Sequence, residues 1–350
     1  MKTIFFKFVI LVIPLFVLSC NTSKEEELTF LTFNVWQEGT SVPNGLEKIK
    51  NVIMATQPDV VCFTEVRNYN DEDWTTKIAN ALQDSGLNYY KGYAGGDVSF
   101  ISKYPLEQGK QLFSNTDKGT IATFDLLVND LRIVIAGAHL DYTYYACYLP
   151  RGYNGGDPDW KMRTSDGLNP EPLTHLDSIR NYNFKSTRDE AIAAFIKTAN
   201  TENDPIILMG DFNEPSHLDW TERTKTLFDH NGVIMPWTTT KSLSDNGFKD
   251  SYRTFYPDEV THPGFTWPSY VHEKASTSWT PKADERDRLD YIFFKGDQVT
   301  VKDVSLVGPR GSYVRNKIDS LHTENEIFMA QSLLWPSDHK AVLARLRFIK

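Results

Sequence analysis

Residues 28–35 alternate apolar and polar side chains, and residues 59–64 form an almost unbroken apolar run. Between them Leu46, Ile49, Ile53 and Met54 fall on one helical face after the breaker Pro43. A half-buried strand, an amphipathic helix and a strand buried on both faces, following one another so closely, require helices layered on sheets. The pattern continues along the chain. Residues 71–82 read as a helix with Trp74, Ile78 and Leu82 on one side. Residues 98–102, 120–128 and 131–140 read as strands, the last two joined by the turn pair Asn129-Asp130. A helix is expected over 187–199, and further strands over 205–209, 289–294, 299–307 and 339–348. No repeat, heptad run or low-complexity linker follows residue 27, so residues 28–350 are expected to form one α+β domain of two packed mixed sheets with helices outside. With 40% hydrophobic and 24% charged residues among 350, the chain has enough apolar surface for a large core.

The first twenty residues read differently. Lys2 and Lys7 precede a mainly apolar run over 5–18 that is too short to span a bilayer comfortably. The run ends at Leu18-Ser19-Cys20, which resembles a bacterial lipobox. The resemblance implies a signal peptide over 1–19, lipidation of Cys20, a membrane anchor and an outer-membrane lipoprotein facing the periplasm or the cell surface. Ordinary secretion is the alternative. Residues 20–27 are polar and acidic, as expected of a tether. Only Cys62 and Cys147 remain beyond Cys20, so neither a disulfide framework nor a cysteine zinc site is expected.

The chemistry-bearing residues gather at strand ends. Asn34 closes the first expected strand and Glu65 the second; His139 closes the hairpin, and Asp211 and Asn213 follow the 205–209 strand. Asp290 lies just inside its strand, and Asp338 with His339 opens the last. Singly these residues have ordinary readings: a Glu after a buried strand is commonly solvated, an Asp-x-Asn turn bonds its own backbone, and a lone His is commonly a satisfied core residue. As a set they supply hard oxygen donors suited to Mg²⁺ or Mn²⁺, with two imidazoles that transfer protons near neutral pH. A net charge of −9 lacks the basic field of a sequence-independent nucleic-acid binder, although a bound cation can supply positive charge locally.

In order, Thr32-Phe33-Asn34-Val35-Trp36, Phe63-Thr64-Glu65-Val66, Ser102-Lys103-Tyr104-Pro105, Ala138-His139-Leu140, Gly210-Asp211-Phe212-Asn213, Phe265-Thr266-Trp267, Arg288-Leu289-Asp290-Tyr291-Ile292 and Ser337-Asp338-His339 run from one end of the domain to the other. In these motifs the chain resembles the endonuclease/exonuclease/phosphatase superfamily. The resemblance implies a four-layer α/β/β/α sandwich and a Mg²⁺- or Mn²⁺-dependent hydrolase of phosphodiester or phosphomonoester bonds. By that resemblance Glu65 is the main metal ligand, with Asn34 beside it and Asp338 completing or supporting the site. Asp211 holds or activates the attacking water, Asn213 positions the phosphate, and His339, oriented by Asp290, serves as acid or base. His139 lies near the leaving group. Apart from the resemblance, a carboxylate is expected behind His139 to favour its charged form; Asp97 is the candidate, and a strand-edge turn residue is its ordinary reading.

Two long connections, 141–186 and 214–288, are rich in aromatic residues, which argues for ordered, functional loops. The first starts two residues beyond His139 and is expected to overhang the site, with Arg151, Tyr148 and Tyr153 as candidate substrate contacts. A lid or loop packing accounts for these residues equally well. The expected substrate is a nucleic acid, a phospholipid head group or a sugar phosphate. The alternative from another class is a catalytically inactive carbohydrate- or protein-binding module on the same scaffold.

Overall fold

The computed structural model describes residues 25–115, 118–156 and 159–349. Its strands in chain order are β1 (Glu25–Asn34), β2 (Val60–Thr64), β3 (Tyr90–Tyr93), β4 (Val98–Ser102), β5 (Leu106–Ser114), β6 (Gly119–Val128), β7 (Leu131–Leu140), β8 (Ile206–Asp211), β9 (Lys249–Asp250), β10 (Asp290–Lys295), β11 (Val299–Val307), β12 (Ser312–Val314), β13 (Lys317–Asp319), β14 (Phe328–Met329) and β15 (Ala341–Ile349). The α-helices are α1 (Gly45–Thr56), α2 (Trp74–Gln83), α3 (Leu176–Asn183), α4 (Arg188–Ala199), α5 (Thr238–Asp245) and α6 (Ser251–Phe255). One sheet has the order β14-β11-β15-β1-β2-β4-β3 and the other β5-β6-β7-β8-β10-β9; both mix parallel and antiparallel pairs.

Alternation along the strands sorts side chains into layers. Phe30, Cys62, Phe100, Phe124, Ile135, Met209 and Ile292 meet between the sheets. Leu31, Phe33, Val61 and Phe63 face outward onto Ile49, Val52, Ile78 and Leu82 of α1 and α2. Ala136, Leu208 and Phe293 face the other way, onto Ile192 and Phe195 of α4 and Leu243 of α5. This is the four-layer sandwich, and each continuously apolar strand is one covered on both faces.

Several elements differ from the sequence reading. Glu25–Glu27 belong to β1, where they pair with Ile349, Phe348 and Arg347, so the acidic tether does not extend to residue 27. Its acidic side chains are tolerated because Arg347 and Lys302 lie alongside. The signal peptide and Cys20 lie outside the described residues. The edge strand β5 carries an exposed polar sequence broken by two register shifts, which hides its period. The two long connections hold α3, α5 and α6, and they bury a fourth cluster that includes Tyr148, Trp220, Trp237 and Trp267.

Asp189, in the first turn of α4, is partly buried near Glu214. Burial, then Glu214, push its carboxyl up to about 6, and its Oδ2 has no hydrogen-bond partner. A carboxyl raised in the folded state favours folding below its ordinary pKa of 3.8, and that contribution is lost as pH rises through about 6. Asp189→Asn is therefore expected to raise the unfolding free energy by about 1 kcal/mol near neutral pH, after discounting for solvent screening, and by nothing below roughly pH 4. Urea midpoints at the two pH values check it; an equal gain at both would exclude the electrostatic cause.

Candidate active site

Strand register assembles the site. In the parallel pair β7–β8, His139 stands opposite Asp211, and in the antiparallel pair β8–β10, Asp211 stands opposite Asp290, so three functional side chains form a row across one sheet. The close approach of β7 and β8 depends on Gly210: at its φ of 143°, a Cβ would lie 1.8 Å from the Ala138 carbonyl oxygen. From the facing sheet come Asn34, the last residue of β1, and Glu65, immediately after β2. Asp338 and His339 enter just before β15. Ser337 pins that entry by donating its hydroxyl to the Asn34 carbonyl at 2.7 Å and accepting from the His339 amide at 3.1 Å.

The backbone here is held in left-handed conformations. Trp36, Gln37 and Glu38 have φ of 43°, 54° and 62°, Glu65 has 64° and Asn213 has 48°. Such conformations cost free energy in residues other than glycine and persist where surrounding bonds enforce them. The turn at Gln37 aims its amide at Glu65 Oε2, 2.8 Å away.

Two imidazoles face one carboxylate. His139 Nδ1 lies 2.5 Å from Asp97 Oδ2, and His339 Nδ1 lies 2.9 Å from Asp290 Oδ2. Their Nε2 atoms lie 3.9 and 3.6 Å from Asp211 Oδ2. Burial disfavours charge on both rings, but Asp97 and then Asp211 outweigh it at His139 and raise its pKa to about 9. Asp290 and Asp211 do the same at His339, to about 10. The paired carboxylates thus favour the charged form of both rings. Asp97 also accepts from Arg67 Nη1 at 3.1 Å.

The remaining acids are crowded. Asp338 is buried, its Oδ1 has no hydrogen-bond partner, and burial together with nearby Glu65 and Asp211 pushes its carboxyl up to about 8. Buried acids with an unsatisfied oxygen fit a divalent cation, because such an ion satisfies the oxygen and restores the ordinary carboxylate range. Asp211, Asp290 and His339 each offer a ligand atom within 4.8 Å of one another. The nearness of Glu65 to the buried, unsatisfied Asp338 makes that pair a second candidate seat for a hard cation. Asn34 lies against two of these acids. Its Oδ1 accepts from the Trp36 amide at 2.9 Å, and its Nδ2 donates to Glu65 Oε1 at 3.1 Å and Asp211 Oδ2 at 2.9 Å. In this arrangement it orients both carboxylates.

Glu65, His139, Asp211, Asp338 and His339 floor a cavity of about 550 Å³ that Asn213 also lines. Among the expected substrate contacts, Tyr148 lines it as well, with its hydroxyl donated to Glu285. Arg151 and Tyr153 do not. The Arg151 guanidinium is fully buried, forks onto Asp287 and stacks over Trp220, while the Tyr153 hydroxyl accepts from the Lys282 amide. Both are therefore corrected to structural roles: a buried carboxylate needs its cation more than a solvated phosphate does. The sequence reading missed Arg67, Tyr69, Trp36 and Gln37, all of which line the cavity. Their signal was position, since each lies within four residues of Asn34 or Glu65.

The profile of the Endonuclease/Exonuclease/phosphatase family matches residues 31–339. An uncharacterized protein of Caenorhabditis elegans is 28% identical over 335 residues, 95% of each chain. Among solved structures, an endonuclease/exonuclease/phosphatase from Beutenbergia cavernae DSM 12333 superposes with a TM-score of 0.52 at 16% identity, covering 92% of this chain and 72% of that one. Truncated Caenorhabditis elegans TDP2 does so with 0.51 at 16% identity, covering 93% and 98%. At such identities the structures establish a shared fold.

Proposed function

Because the chain belongs to the endonuclease/exonuclease/phosphatase family, we propose that it hydrolyses phosphoester bonds with the aid of a divalent cation, Mg²⁺ or Mn²⁺. One observation carries the reading: two buried imidazoles, each backed by a carboxylate at Nδ1, aim Nε2 at a third carboxylate beside an acidic pair with an unsatisfied oxygen.

Glu65 and Asp338 would hold the ion, which supplies charge relief to the phosphoryl oxygens when bound. Asp211, fixed by Asn34 Nδ2, accepts a proton from the attacking water as its oxygen bonds to phosphorus. His139 gives its Nε2 proton to the departing oxygen as the ester bond breaks. His339, kept charged by Asp290, bonds a non-bridging oxygen through Nε2. Asn213 orients the phosphoryl group from the cavity wall. A catalytically inactive binding module has less support, since Glu65, Asp211, Asp338 and both imidazoles line one cleft, with Asp290 behind His339. The purified chain is expected to hydrolyse a model phosphodiester with Mg²⁺ or Mn²⁺, to stop on chelation and to recover on metal addition. Turnover that persists in chelator, or none with any divalent ion, would remove the proposal.

The lipid anchor is a further part of this reading and rests on the sequence around Cys20. Incorporation of labelled fatty acid that is lost in Cys20→Ala is the expected result; equal labelling of the variant would refute it.

A further inference from the structure

The cavity has two walls of different chemistry. One carries the acids and imidazoles; the other is aromatic and is supplied by the loops that follow β7 and precede β10. On the aromatic side Trp279 is 50% exposed and Tyr142 46%, both unusually accessible for large rings. Behind Trp279 the rings are packed on one another. Trp160 and Trp279 centroids lie 5.0 Å apart, Tyr148 and Trp160 5.7 Å, and Tyr145 and Tyr148 4.6 Å. Glu285 fixes the wall from beneath, accepting from the Trp279 amide at 3.0 Å and from the Tyr148 hydroxyl.

We propose that this wall is a stacking subsite, and that the substrate is a small phosphoester bearing a flat-faced ring, a nucleobase or a sugar. This rests on the phosphoesterase reading of the same cavity. Three observations select that class. First, Trp279 leans on Trp160 behind it at an interplanar angle of 51° and keeps half its surface accessible, and Tyr142 is similarly open. They offer outward surfaces, on which a ring stacks. Second, the wall is braced by Glu285 and its neighbours, so little conformational freedom is lost on binding. Third, Arg67 is the only Lys or Arg among the described residues lining the cavity, and it is paired with Asp97. A polymer requires cations along its backbone on both sides of the cleaved bond. A cavity of about 550 Å³ lies in the small-ligand range, and its charge suits one phosphoryl group at the acidic floor.

The test is equilibrium binding of four probes, with Mg²⁺ present, to the full chain carrying Asp211→Asn so that turnover is suppressed: adenosine 5′-monophosphate, glucose 6-phosphate, glycerol 3-phosphate and phosphocholine. At least one ring-bearing probe is expected to bind about tenfold tighter than the acyclic two. Trp279→Ala should weaken that probe about tenfold, and Trp279→Phe should restore most of it, while glycerol 3-phosphate changes less than about twofold. Preference for the nucleotide assigns the subsite to a base, and preference for glucose 6-phosphate to a sugar. Equal affinity for all four probes, equal weakening of all four by Trp279→Ala, or binding of none overturns the proposal. Because binding is read without turnover, failure of the metal-dependent hydrolysis assay counts against the phosphoesterase reading and leaves this result separately legible.

Discussion

Asp211→Asn is expected to lower kcat by roughly three orders of magnitude with little change in KM, in line with removal of a positioned general base. The reason is its place at the centre of the polar network. Asp211 Oδ2 accepts from Asn34 Nδ2 and faces the Nε2 atoms of both histidines, so one oxygen couples the two sheets and both imidazoles. The amide is nearly isosteric, so packing and the β8 register survive. What is lost is the negative charge that takes the water's proton and helps hold both rings cationic. A second signature follows from the same geometry. With Asp211 neutral, the pKa of each histidine falls, so the imidazole signals titrate at lower pH in Asp211→Asn than in the parent chain. A variant with near-parental kcat, or one whose loss lies wholly in KM, would show that Asp211 is not the proton acceptor.

Arg151→Ala is expected to act on stability, by about 3–5 kcal/mol, and not selectively on substrate affinity. Arg151 is buried under the long connection that follows β7, where Asp287 takes both guanidinium ends and the Phe228 carbonyl accepts from Nε. Asp287 also accepts from Trp220 Nε1, so the pair ties the first long connection to the second. Removing the cation leaves Asp287 charged in an apolar setting, the costly half of a buried ion pair. The urea midpoint should drop well below that of the parent, while KM measured on the folded fraction stays within about twofold. A raised KM at unchanged stability would return Arg151 to the substrate. The double replacement of Arg151 and Asp287 with similar-sized apolar residues should recover part of the loss, because no uncompensated charge remains.

The contrast between Asp211 and Arg151 marks where sequence reasoning succeeds. Asp211 and His139 were legible because each sits at the end of a strongly patterned strand, and strand ends on a layered sheet converge at one edge. Arg151 carried the composition of a binding residue on a loop, and nothing local distinguishes an arginine facing a phosphate from one facing a buried carboxylate 136 positions away. Asn34 shows the same limit at finer scale. Its position was readable, but which amide atom meets the acids depends on the Trp36 amide and on Asp211 from the other sheet.

By itself the sequence determined the layering, the positions of the principal strands and helices, and the family-specific spacing of Asn34, Glu65, His139, Asp211, Asp290 and His339, because period and spacing are properties of contiguous residues. Only the tertiary structure decided the crowding of Asp338 against Glu65, the structural fate of Arg151 and the aromatic wall made by Trp160 and Trp279. Each of these is a contact between distant segments, fixed by register and by the need of buried charge and polar atoms for partners. No local pattern encodes such needs.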